Sequence, residues 1–226
     1  MSKTGMKTID LILFDMDGTM FDTEQIWFEV FRDLLKDMDH PGPPELYFRA
    51  AGTGGEIERR LFAELLGLSD EDSYSFVKEL YRRGSETLLT CFIPKKPGLD
   101  AMMQFLRESG LRWTIVSSSP RYLIDRYLSL HGIDPPEEPI VDVSMIRHSK
   151  PSPEPYLIAA GLCGTDPARC LVVEDAHTGV SSALAAGMSV IMVPDINEPT
   201  DEERRRTVAV VEALDDVIPF LQDLCL

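Results

Sequence analysis

The chain has 226 residues, 44% hydrophobic and 27% charged, which suits one globular domain or a core with an insertion. A formal net charge of -16 makes nucleic-acid backbones and anionic membrane surfaces poor partners, and no apolar stretch is long enough to span a bilayer. The opening MSKTGMKTID lacks the apolar core of an export signal, and Cys91, Cys163, Cys170 and Cys225 show neither CxxC nor zinc-ligand spacing, so a cytoplasmic monomer with reduced thiols is expected.

Ile9–Phe14, IDLILF, is a short apolar run that predicts a strand buried on both faces. Thr23–Met38 then places Ile26, Trp27, Val30, Phe31, Leu34, Leu35 and Met38 on one helical stripe, with Asp22 as its cap and Gln25 completing a capping box. Ile57–Leu66 repeats the helical pattern, and Ser69 caps a third helix that carries Tyr74, Val77, Leu80 and Tyr81. Residues 20–94 contain no convincing strand. So much helix exceeds an ordinary crossover and reads as a small cap, entered near Met20–Asp22 and left through Phe92–Gly98, FIPKKPG, a hinge-like stretch. Lys95 and Lys96 within it read as solvated.

Beyond the hinge, helices are expected at Ala101–Ser109, Pro120–Leu130, Pro153–Gly161 and Thr178–Ala186. They alternate with strands at Arg112–Val116, Cys170–Val173 and Ser189–Val193, with Pro139–Val143 as a further candidate. Buried strands alternating with helices imply a parallel sheet covered on both faces. The expected architecture is therefore α/β: a Rossmann-like parallel core formed by residues 1–20 and 94–226, with an inserted α-helical cap over 21–93.

Four polar segments fall at or just after strand ends, where ligands of such sheets bind. They are DMDGT with Asp15, Asp17, Gly18 and Thr19; SSS at Ser117–Ser119; SKPSPEP with Lys150; and VVEDAHTG with Glu174 and Asp175. Carboxylates without histidine or cysteine favour a hard cation such as Mg2+. Hydroxyls, backbone N–H groups and a lysine favour a phosphate. Each segment alone has a structural reading: a polar turn at the serines, a surface lysine, a helix cap at Glu174 and Asp175. A calcium loop starting at Asp15 fails, because Met20 and Ile26 stand where it needs glycine and glutamate. His177 reads as a solvent-facing or helix-start residue.

The four segments in order, with a helical insert between the first and second, resemble the haloacid-dehalogenase superfamily of phosphatases and phosphomutases. The run VVEDAHTGVSSALAAGM, Val172–Met188, matches that family's fourth motif and the helix after it. The insert resembles the cap of the branch containing β-phosphoglucomutase and sugar-phosphate phosphatases. The resemblance implies Asp15 as a nucleophile forming an aspartyl-phosphate, and Asp17 as general acid and then base. It implies Mg2+ held by Asp15, the Asp17 carbonyl, Asp175, and Glu174 directly or through water. Ser117, the Ser118 backbone and Lys150 would hold the transferring oxygens, and Gly18 and Thr19 would also bind the substrate. The expected partner is a small-molecule phosphate ester, most simply a sugar phosphate, with neither nucleic acid nor membrane. A phosphomutase is the alternative. The mutase branch carries a histidine and an arginine in its cap, and the corresponding positions here are Trp27 and Gly55, with Arg59 or Arg60 as possible substitutes. Receiver-type signalling domains share the acidic rim but are shorter and lack the cap. A non-catalytic descendant would typically have lost a motif carboxylate, and none is missing.

Overall fold

The computed structural model describes residues 8–51 and 55–225, and the side chains of 8–51 and 55–224. Residues 1–7, most of the segment in which an export signal was sought, lie outside them, as does the Cys225 side chain. Cys91, Cys163 and Cys170 are free thiols. No helix among the described residues is long and apolar enough to cross a membrane.

The chain divides into two compact units, one of Met1–Phe21 with Lys95–Leu226 and the other of Asp22–Pro94. The first unit is built on strands β1 (Leu11–Phe14), β2 (Trp113–Ile115), β3 (Cys170–Glu174), β4 (Ser189–Met192) and β5 (Ala209–Val210). They form one parallel sheet in the order β2-β1-β3-β4-β5. Every residue of β1 and β3 is buried, as central strands of a parallel sheet require. Side chains alternate across the sheet, so Leu11 and Leu13 pack on one face with Val172, Val190, Tyr156 and Ala159. Ile12 and Phe14 point to the other face.

Among its described residues the second unit is built from α-helices α1 (Glu24–Asp37), α2 (Tyr47–Ala50), α3 (Gly55–Leu66) and α4 (Asp70–Thr90). Phe31, Phe62 and Phe76 form its aromatic centre, with ring centroids 5.2–5.7 Å apart. Ser69 caps α4 as expected, its hydroxyl accepting from Asp72 N at 3.1 Å. At α1 the expectation fails. The N-cap is Thr23 without a side-chain cap bond, and the Asp22 N–H goes to Pro94 O at 2.9 Å, where the entering chain lies beside the leaving one.

The remaining helices, α5 (Leu99–Ser109), α6 (Arg121–Leu130), α7 (Glu154–Leu162), α8 (His177–Ala185), α9 (Asp201–Arg206) and α10 (Ile218–Cys225), belong to the first unit. Two expectations need correction there. Pro139–Val143 is no strand; only Val141 bridges to Val116, and the fifth strand is β5. Lys95 is paired with Asp100 near the surface, but Lys96 is mostly buried, its Nζ 2.6 Å from Asp195 Oδ1. Removed from water, that ammonium needs the carboxylate beside it.

Candidate active site

Three strand ends converge. The Asp15 N–H donates to Val173 O at 3.0 Å, which fixes the start of the β1 loop against β3. The loop then folds back, with Met20 N and Phe21 N both donating to Met16 O and Gly18 N to Phe21 O. Gly18 has φ +86, and a Cβ there would lie 2.3 Å from Asp175 Oδ2, so both conformation and space demand glycine. The buried Thr19 hydroxyl donates to Asp175 Oδ1 at 2.9 Å. On the other side, Val116 N donates to Phe14 O and Ser117 N to Val141 O, which brings the serine turn to the rim.

The Ser117 hydroxyl donates to Asp17 Oδ2 at 3.2 Å, and the Ser119 hydroxyl to the same oxygen at 2.8 Å. Ser119 N donates back to Ser117 Oγ at 2.9 Å. Ser118 is exposed. Lys150 is nearly buried, with its Nζ on Asp15 Oδ1 and 2.6 Å from Glu174 Oε1. The other Glu174 oxygen accepts from Asp175 N at 2.9 Å and Ala176 N at 3.0 Å. The structure thus gathers Asp15, Lys150, Glu174, Asp175 and Thr19 in one bonded group, with Asp17, Ser117 and Ser119 in a second.

Burial raises the Asp15 pKa; Lys150 pulls against that, while Glu174 and Asp17 add to the rise. Burial also works against the charge on Lys150, but Asp15 and Glu174 outweigh it and hold the ammonium protonated well above its usual range. A buried carboxylate of this kind gains from a further cation. Oxygens of Asp15, Glu174 and Asp175 lie within 4.8 Å of one another, and all three residues are buried. An all-oxygen, all-carboxylate donor set fits Mg2+. The Asp17 carboxylate is not part of that group and faces the serines instead.

Three contributors escaped sequence reasoning. Ser119, next to Ser117 and Ser118 in the serine run, bonds Asp17 with the shorter of the two serine bonds. Gly179 stands so close to Glu174 that a Cβ there would meet Oε1 at 1.5 Å. Tyr156 on α7 donates its hydroxyl to Glu174 Oε1 at 2.9 Å. His177 begins α8, is 39% exposed, and places Nδ1 2.7 Å from Glu203 Oε1, so it is a paired helix-start residue.

Residues 9–187 match the sequence model of the haloacid dehalogenase-like hydrolases. Hexitol phosphatase A of Escherichia coli K12 is 32% identical over 204 residues, covering 88% of each chain. Protein CbbY of Rhodobacter capsulatus is 29% identical over 191 residues, covering 81% of this chain and 84% of its own. Among solved structures, a HAD family hydrolase from Deinococcus radiodurans, with bound phosphate and sodium, superposes with TM-score 0.75 at 24% identity, over 96% of both chains.

Proposed function

The chain belongs to the haloacid dehalogenase-like hydrolases as a hydrolase of phosphate esters, and from that premise we propose that it hydrolyses a small sugar phosphate through a phosphorylated Asp15. The observation that carries this reading is the Lys150 ammonium, bonded at once to Asp15 and Glu174 from separate strand ends. That pairing opposes the burial that raises the Asp15 pKa to about 8, and once ionised the carboxylate attacks phosphorus without a base. Mg2+ held by Asp15, Asp175, the Asp17 carbonyl, and Glu174 directly or through water, would supply charge that offsets repulsion between that anion and the phosphate.

Asp17 protonates the departing sugar oxygen and then takes a proton from the water that cleaves the acyl phosphate. Its partners, the Ser117 and Ser119 hydroxyls, can donate or accept and so serve either protonation state. Lys150 and Ser117 hold the phosphoryl oxygens while charge redistributes. The likeness to a protein named hexitol phosphatase supports a sugar or sugar-alcohol phosphate as substrate.

The test is inorganic phosphate release from a panel of sugar phosphates, sugar-alcohol phosphates, nucleotides and phosphoglycolate. Release that needs Mg2+, stops in excess EDTA and is abolished by Asp15→Asn is expected. Full activity in EDTA would remove the metal from the proposal, and native turnover in Asp15→Asn would remove the nucleophile.

A further inference from the structure

Tyr156 is fully buried in α7 and takes no part in the chemistry above. Its hydroxyl reaches Glu174 Oε1, the same oxygen that Lys150 holds, and the Lys150 Nζ sits 5.1 Å from the centre of the Tyr156 ring. Glu174 Oε2 is occupied separately by the Asp175 and Ala176 N–H groups. Four protein donors thus meet the two Glu174 oxygens, two on each. Gly179 leaves Oε1 the room to sit where it does.

We infer that Tyr156 is a positioning residue for phosphoryl transfer: by fixing Glu174 Oε1, its hydroxyl sets where the Lys150 ammonium stands beside Asp15. This rests on the reading of Asp15 as the phosphoryl acceptor. An ammonium has three hydrogens on a flexible stem, so its direction is set by its partners. Two of its contacts are Asp15 and Glu174, and the third, Val116 O, is distant at 3.4 Å. The hydrogen so weakly engaged is the one that can turn to a phosphoryl oxygen. Without the tyrosine hydroxyl, Oε1 has a single donor and its charge is less shared. The carboxylate then pulls harder on Lys150 and turns more freely. The ring face adds a cation–π restraint on the same nitrogen, which a phenylalanine would keep.

The experiment is a double-mutant cycle of Tyr156→Phe with Glu174→Gln, read on kcat and KM and, independently of turnover, on calorimetric affinity for inorganic phosphate. In the Tyr156→Phe chain kcat is expected to fall about tenfold with KM within about twofold, and phosphate affinity to fall about fivefold. In the Glu174→Gln background the same change is expected to alter either quantity by less than about twofold, since the hydroxyl acts through that carboxylate. Equal losses in both backgrounds, or none in either, overturn the assignment. So does a Tyr156→Phe chain that fails to fold, which would make the hydroxyl a structural group. A wild-type chain that releases phosphate from no ester counts against the proposed function. An active wild type matched by Tyr156→Phe counts against Tyr156 alone.

Discussion

Asp15 and Asp17 are two residues apart and face opposite surroundings. Asp15 is buried, which raises its pKa, and meets an ammonium that pulls the other way; Asp17 meets two hydroxyls, which bind a carboxylate or a carboxylic acid equally well. That contrast supports the proposed division of attack to the first and proton transfer to the second. Asp17→Asn keeps the shape and can still accept from both serines, so the fold and Mg2+-dependent phosphate binding should survive. Turnover should drop by about 10²–10⁴, the usual worth of general acid–base catalysis. Steady-state assays with an alkyl and an aryl phosphate check this; near-native rates for both would take Asp17 out of the role. The carboxylates, the serine turn and Lys150 were legible in sequence because, although each alone has an ordinary structural reading, they fall together and in order at successive ends of buried strands. Tyr156 was not legible, since in an apolar helix it has the pattern of core. Gly179 was hidden for a different reason: what demands it is the closeness of Glu174, and no local pattern records that.

At the scale of elements, long apolar or amphipathic segments were read correctly, and the errors lie where one bond decides. β5 has only two residues, too few for a periodic signal. In Pro139–Val143, Pro139 has no N–H to give a ladder, and the Asp142 side chain turns the chain away by accepting from Ser144 N at 2.8 Å. Within the helical unit, tyrosine–carboxylate bonds join neighbouring helices: Tyr47 to Glu24 at 2.6 Å and Tyr81 to Glu58 at 2.7 Å. Glu58 is buried, and burial lifts its pKa to about 7, with the Tyr81 bond opposing. A folded-state pKa above the unfolded value of 4.5 means the protonated group favours folding. The helical unit should therefore lose stability as pH rises from 4.5 to about 7 and lose no more above that. Glu58→Gln keeps an acceptor for Tyr81 without the charge. It should stabilise this unit at pH 8 by up to about 3 kcal/mol, at about 1.4 kcal/mol per unit of pKa, with most of the gain gone at pH 5. Hydrogen exchange of the α3 and α4 amides at the two pH values measures this; equal protection of variant and wild type at pH 8 would show that Glu58 carries no such cost.

The whole molecule, at a formal net charge of -16, repels phosphate esters at long range. Attraction must come from a few cations placed locally, and their number limits how many phosphates one substrate can present. A mutase has to keep its aspartyl-phosphate from water while a sugar bisphosphate turns over, so it needs a second phosphate grip. At the cap positions where the mutase branch carries histidine and arginine, this chain has Trp27, edge-on to Tyr81 at 5.4 Å, and Gly55, the first residue of α3. The substitute Arg59 is committed to Glu56, Asp70 and Ser73, at 2.7–2.8 Å, and is only 14% exposed. Freeing it would break several charge-assisted bonds at once. Arg60 is open to solvent but pairs with Glu56 at 2.9 Å. Neither described arginine, Arg59 or Arg60, is free of a carboxylate partner, so on the proposed mechanism an acyl phosphate on Asp15 would meet water before a reoriented sugar. Incubation with β-glucose 1-phosphate and a catalytic amount of glucose 1,6-bisphosphate should therefore yield inorganic phosphate as the main product, if that sugar phosphate is accepted. Efficient conversion to glucose 6-phosphate with negligible phosphate release would overturn the hydrolase assignment in favour of the mutase.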